Sequence, residues 1–198
     1  MHIAILTLDG FNPLDSLIAH SMLSRLNDSS SCVSIASPEP VIRSMTGLRL
    51  ERQIALNEIA TADAVLIGSG SKTREHLLNP DLMSQLRLDP TQQLIGAQCS
   101  GALILAQLGL LEGIPTCTDL TTAPWLSESG IEILDQAFSA HGNIATSGGC
   151  MSSFYLACWI AAKLKGIEAA KELLHYVAPV GEKEEYLTRM IANISPYV

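Results

Sequence analysis

The chain has 198 residues, 47% of them hydrophobic and 16% charged. That balance excludes a disordered chain, and the length suits one domain over residues 1–198. Twelve Lys and Arg against twenty Asp and Glu give a formal charge of −8, which argues against a nucleic-acid partner, because phosphate neutralisation needs a basic surface.

Short apolar runs alternate with helical stretches along the chain. The spacing predicts a strand over 3–8 (IAILTL), a helix over 14–26 and a strand over 32–37 (CVSIAS), which Pro38 and Pro40 end. A third strand is expected over 62–70 (ADAVLIGSG), a helix from Pro80 to near Leu88, a fourth strand over 93–98 and an apolar helix over 100–111. A short β segment, PTCT, follows Gly113, and 138–147 reads as a hairpin turning at His141-Gly142-Asn143. Helices over 149–164, 167–177 and 184–194 close the chain. Apolar strands followed by helices predict an α/β fold, a three-layer α/β/α sandwich with a mainly parallel sheet. In such sheets ligands sit at the carboxyl ends of the strands. That directs attention to residues 9–15, 69–73, 99–100, 118–122 and 147–150.

The five cysteines stand at 32, 99, 117, 150 and 158. The opening MHIAILTLDGF lacks the basic start of a secretory signal, so the expected setting is cytoplasmic and reducing. No apolar run reaches the roughly 20 residues of a membrane span, and no Cys/His spacing suggests a metal. Cys32 and Cys158 read as core residues.

Gly96-Ala97-Gln98-Cys99-Ser100-Gly101-Ala102 is the sharpest feature. A buried strand runs almost directly into a helix, the geometry of a nucleophile elbow. The turn raises the Cys99 side chain above the sheet and near a helix N-terminus, which favours a thiolate. A small buried cysteine explains the same spacing.

The segment QCSGALILAQLGLLEG (98–113) resembles the nucleophile segment of the ThiJ/PfpI superfamily, the class I glutamine amidotransferase-like group. The opening IAILTLDGFNPLDSLIAHSML, ADAVLIGSG and NIATSGGCMSSFYLACWIAAKL resemble its other motifs in the same order. The resemblance implies a flavodoxin-like sandwich, a nucleophilic Cys99, an acidic partner at Asp15 and a homodimer. Asp15 is equally an acidic residue favoured in a helix's first turn. The backbone N–H groups of Gly70 and Ser100 fall where the family forms its oxyanion hole. Asp119 stands where many members carry a histidine, which weakens any peptidase reading, since that needs a Cys–His pair. His20 is the nearest other histidine and reads as structural.

Leu14-Asp15 with Cys99-Ser100 resembles isonitrile hydratases, in which Ser100 fills a hydroxyl position usually held by Thr. Ser100 also reads as a helix N-terminal residue whose hydroxyl satisfies a backbone donor. The implied activity is cofactor-free hydration of a small-molecule isonitrile, a lyase-type reaction. A glyoxalase-type enzyme or a non-catalytic cysteine redox sensor are the alternatives. Asp119, Cys117 and Cys150 are further candidates for the pocket. Trp125, Phe154 and Tyr155 suit packing, or else a pocket or interface.

Overall fold

The computed structural model describes residues 1–26 and 31–198. In chain order the strands are β1 (His2–Leu6), β2 (Cys32–Ser37), β3 (Val41–Arg43), β4 (Arg49–Glu51), β5 (Ile54–Ala55), β6 (Ala64–Ile67), β7 (Leu94–Gln98), β8 (Phe138–His141) and β9 (Ile144–Ser147). The helices are α1 (Pro13–Leu23), α2 (Thr73–Leu77), α3 (Pro80–Gln85), α4 (Gly101–Gln107), α5 (Ala123–Glu128), α6 (Ser153–Lys165), α7 (Ile167–Val177) and α8 (Lys183–Ile194).

A seven-stranded sheet has the order β5-β2-β1-β6-β7-β9-β8. All its pairings are parallel except β8 with β9. Its middle, β2-β1-β6-β7-β9, is the flavodoxin-like winding, with the strand order reversing beside β1. The strands are apolar at successive positions because both faces are covered. Ile3, Ile5, Ala64 and Leu66 join Met22, Trp159, Leu174 and Met190 of α1, α6, α7 and α8. Ala4, Leu6, Val65, Ile67 and Ala97 join Leu82, Leu103, Ile104 and Leu126 of α3, α4 and α5. Each large aliphatic side chain buried this way contributes about 1.5–3 kcal/mol.

The three-layer expectation holds, with local corrections. PTCT forms no strand: Thr116 makes only an isolated bridge to Ile133. The third strand ends at Ile67, because beyond Gly68 the chain turns to the loop after β1, the Ser69 carbonyl accepting from the Asn12 N–H and the Ser71 N–H donating to the Gly10 carbonyl. Val41–Arg43 and Arg49–Glu51 pair as a separate two-stranded ribbon that the sequence reading had not placed. Cys32 is exposed rather than core, because it is the first residue of β2.

Candidate active site

The elbow begins with backbone geometry. Cys99 has φ 47°, and among the described residues it is the single non-glycine position with positive φ. Such a conformation costs about 1–3 kcal/mol and persists only where its surroundings hold it. Here the Cys99 N–H donates to the Ser147 carbonyl at 2.9 Å, and its own carbonyl accepts from Thr118 Oγ1 at 2.9 Å. Gly101 lets α4 start close against β6, since a Cβ there would lie 2.7 Å from the Ile67 carbonyl oxygen.

Asp15 arrives from the loop after β1. Asn12 caps α1, its Oδ1 accepting from the Leu14 N–H at 3.2 Å, and Pro13 opens the first turn. The Asp15 side chain is thereby turned inward and is 3% exposed. Ser69 donates its hydroxyl to Asp15 Oδ2, while Oδ1 has no hydrogen-bond partner. Cys150 arrives from the exit of β9, in a short 3-10 turn over Cys150–Ser152, and Asn12 Nδ2 donates to its sulfur at 3.0 Å. A carboxylate oxygen of Asp15 and the sulfurs of Cys99 and Cys150 lie within 4.8 Å of one another.

Burial raises the Asp15 pKa, and the nearby Ser69 hydroxyl and Cys150 and Cys99 thiols offset this only in part. The Cys99 thiol is also pushed up, first by burial and then by the neighbouring charges of Asp15, Cys150 and Asp119. Both effects run against the thiolate that the helix terminus favours. Desolvation and an adjacent carboxylate oppose the pull of a short helix, and the Asp15 carboxyl stands beside the sulfur as a proton acceptor.

Ser100 and Gly70 do come together. The Gly70 N–H donates to Ser100 Oγ at 3.2 Å, and the Ser100 and Thr73 hydroxyls lie 2.9 Å apart. Ser100 makes no side-chain cap to its own helix; the backbone donor it satisfies belongs to the β6 exit loop. Gln98, unmarked by the sequence reading, is 2% exposed. It accepts from Ser147 Oγ and donates through Nε2 to the Gly149 carbonyl at 2.8 Å and toward the Cys99 sulfur at 3.4 Å.

Two pocket candidates are reassigned. Cys117 is wholly buried, its thiol pushed up to about 12 by burial alone, and it stands outside the cluster. Asp119 takes up a capping role before α5, accepting from the Thr121 and Thr122 N–H groups at 2.9 and 3.0 Å and from the Thr122 hydroxyl at 2.6 Å. It reaches the site only as a nearby negative charge. Trp125 lies under the Arg74 guanidinium, 4.4 Å from its ring centroid, and Tyr155 packs with Phe138 in the core. Ser69, Thr73 and Thr118 are further site residues; they lie within the strand-exit ranges 69–73 and 118–122 but were given no role of their own. Their signal was no more than hydroxyls at strand exits.

Residues 1–163 match the DJ-1/PfpI family. Solved structures share the fold at low identity. A ThiJ/PfpI family protein from Pseudomonas syringae is 16% identical over 98% of this chain and 87% of its own, with TM-score 0.78. Drosophila melanogaster DJ-1beta is 20% identical over 89% and 96%, with TM-score 0.75. An oxidized Toxoplasma gondii DJ-1 is 20% identical over 89% and 97%, with TM-score 0.74. No curated protein matches this chain in sequence.

Proposed function

This chain belongs to the DJ-1/PfpI family, and on that footing we propose that it is a cysteine-dependent hydratase that converts isonitriles to N-substituted formamides. The observation that carries the reading is the buried carboxyl of Asp15 beside the Cys99 thiol, where a cysteine hydrolase would need an imidazole. A carboxylate whose pKa is raised is a better base toward a thiol and returns the proton more readily.

Asp15 takes the Cys99 proton as the sulfur bonds to the terminal carbon of the isonitrile. It then delivers that proton to the same carbon, leaving a thioimidate in which the carbon carries hydrogen and is doubly bonded to nitrogen. Asp15, again ionised, removes a proton from a water whose oxygen adds to the thioimidate carbon, and passes it to the nitrogen. Collapse of the adduct breaks the carbon–sulfur bond. The hydroxyl proton returns to sulfur, and the formamide leaves with the thiol restored. Charge that builds on the substrate nitrogen is met by the backbone N–H groups of Ser100 and Gly70, the latter exchanging its bond to Ser100 Oγ for the substrate.

A redox-sensor reading would use the same thiol, with Asp15 freeing it for peroxide as for an isonitrile. A cytoplasmic homodimer completes the proposal. Leu14 and Met151, 48% and 62% exposed, border an apolar groove of about 490 Å³ along α1 and α6, a surface that a second copy would cover. Among the described residues, no helix is long and apolar enough to cross a membrane.

Incubating the purified protein with an alkyl isonitrile and following the formamide by chromatography tests the reading. Wild type is expected to exceed the buffer rate, and Cys99→Ala to fall to it. Removing the Asp15 base is expected to cost about 10²–10⁴-fold. Equal rates for wild type and Cys99→Ala would sink the proposal.

A further inference from the structure

Two thiols share one carboxyl. Asp15 follows β1, Cys99 follows β7 and Cys150 follows β9, and a carboxylate oxygen and the two sulfurs lie within 4.8 Å of one another. Both thiols act on the Asp15 carboxyl, each lowering its pKa as a neighbouring donor does. The hydratase mechanism uses Asp15 and Cys99 but leaves Cys150 without a task. The other three cysteines stand outside this cluster. Cys32 is exposed at the start of β2, and Cys117 and Cys158 are wholly buried.

We propose that Cys150 is a resolving thiol for Cys99, and that a hydroperoxide converts the pair into a reversible intramolecular disulfide. Asp15 takes the Cys99 proton as the sulfur attacks one peroxide oxygen. The O–O bond breaks, and the leaving oxygen takes that proton and departs as water or an alcohol. Cys99 is then a sulfenic acid, oxidised by two electrons, and the peroxide is reduced by two. Asp15, ionised again, takes the Cys150 proton as that sulfur attacks the Cys99 sulfur. The S–O bond breaks, and hydroxide leaves as water with the proton from Asp15. A sulfenic acid beside a thiol condenses in this way, whereas one without a thiol partner is open to further oxidation.

The geometry allows the bond to close. A disulfide holds its sulfurs about 2.05 Å apart, so the pair must approach by roughly 2.8 Å at most. Rotation from one staggered rotamer to another swings a cysteine sulfur by roughly 3 Å. Cys99 is fixed by its backbone at φ 47°, so the movement falls to Cys150. That residue opens a short 3-10 turn after Gly149, where a Cβ would meet nothing within 4 Å. Cys150 also lines an open groove of about 430 Å³ beside Met151 and Tyr186. The groove gives the sulfur room to turn and a peroxide a path from solvent. The turn gives up one contact, the Asn12 Nδ2 donor at 3.0 Å. Cys99 and Cys150 meet because β7 and β9 are neighbours in the sheet, so no CxxC spacing announces the pair. With the disulfide formed, the Cys99 sulfur cannot attack carbon, so oxidation stops the hydratase and a dithiol restores it. That consequence rests on the hydratase reading; the disulfide itself does not.

Treating reduced full-length protein with a few equivalents of hydrogen peroxide tests the pair. Remaining thiols are then trapped with iodoacetamide and the peptides mapped by mass spectrometry. Wild type is expected to lose about 2 Da, two hydrogens, and to yield a Cys99–Cys150 cross-linked peptide that dithiothreitol reverses. Cys150→Ser is expected to carry Cys99 on to the sulfinic acid, a gain of about 32 Da that dithiothreitol does not reverse. Cys32→Ser, at an exposed position, is expected to give the wild-type product. Melting curves confirm that each protein is folded. Cys150→Ala repeats the comparison if Cys150→Ser does not fold, and the wild-type map decides without either. Sulfinic acid at Cys99 in wild type, with Cys150 still alkylated, overturns the proposal. So does a disulfide from Cys99 to any other cysteine or to a second chain, or a Cys99 that peroxide leaves untouched. No isonitrile enters these readouts, so they stand or fall separately from the formamide assay.

Discussion

Ser69 donates its hydroxyl to Oδ2 of Asp15, so the loop after β6 fixes a carboxylate that lies within 4.8 Å of both the Cys99 and the Cys150 sulfur. The charge on that carboxylate is one cause of the raised Cys99 pKa. Asp15→Asn removes it and should lower the pH at which Cys99 reacts with iodoacetamide. A shift on the order of 1 unit is expected, since charges at this range move pKa values by about 1–3 units. Alkylation followed by mass spectrometry, site by site across pH, reads the effect. A shift upward would mean instead that a protonated Asp15 stabilises a thiolate.

The same burial makes Asp15 a stability liability. Its folded-state pKa lies above the unfolded value because desolvation disfavours the charged form. Below the unfolded pKa both states are protonated, and the contribution to stability is fully present. As pH rises through the folded pKa it is lost, because the folded state must ionise a buried group. Asp15→Asn should therefore melt higher than wild type near neutral pH and lose this advantage in acid. A chain of this size gains about 2–4 °C per kcal/mol relieved. Thermal melts at acidic and neutral pH check it, and an advantage that grows toward acid contradicts it.

Much of this was legible in the sequence, for identifiable reasons. Strands buried on both faces leave continuous apolar runs, so β2 and the β8–β9 hairpin fall where the pattern placed them. The tight passage from Gln98 to Gly101 announced the elbow that Cys99 makes with φ 47°. The β3–β4 ribbon escaped because its strands are three residues long and largely exposed, with no run to read. The capping role of Asp119 was readable from Thr121 and Thr122 just after it, but the family pattern drew attention elsewhere. Contacts such as Asn12 to Cys150, separated by 138 positions, follow from the order of strands in the sheet rather than from local pattern. The direction of the Cys99 pKa shift needed the same three-dimensional knowledge, since burial and Asp15 set it.

Ser100 ties the elbow to the loop after β6. Ser100→Ala removes the acceptor of the Gly70 N–H and the partner of the Thr73 hydroxyl. A net loss of about 1 kcal/mol is expected, seen as a fall of roughly 2–4 °C in Tm. Formamide production should drop with it, because the Gly70 N–H then loses the contact that holds the loop after β6 against the elbow. Ser100→Thr keeps the oxygen and should restore both readouts. Full activity and stability in Ser100→Ala would remove Ser100 from the proposed site.

Gly148 tests how the strained Cys99 backbone is held. A Cβ at position 148 would lie 2.1 Å from the Thr118 carbonyl oxygen and 2.6 Å from its carbonyl carbon. Both atoms are backbone, so Gly148→Ala must displace the 118 loop rather than a flexible side-chain end. Thr118 is also the residue whose hydroxyl donates to the Cys99 carbonyl at 2.9 Å, so the displacement loosens one of the contacts that hold the positive φ. Overpacking of this kind costs about 1–3 kcal/mol. Gly142→Ala is the control: its Cβ would meet nothing within 4 Å, so it carries only the cost of an alanine at φ 59°. Urea unfolding should place the Gly148→Ala midpoint below that of Gly142→Ala. Only the former should change the rate at which Cys99 is alkylated. Equal midpoints, with Cys99 reactivity untouched in both variants, would show that the 118 loop does not hold the elbow.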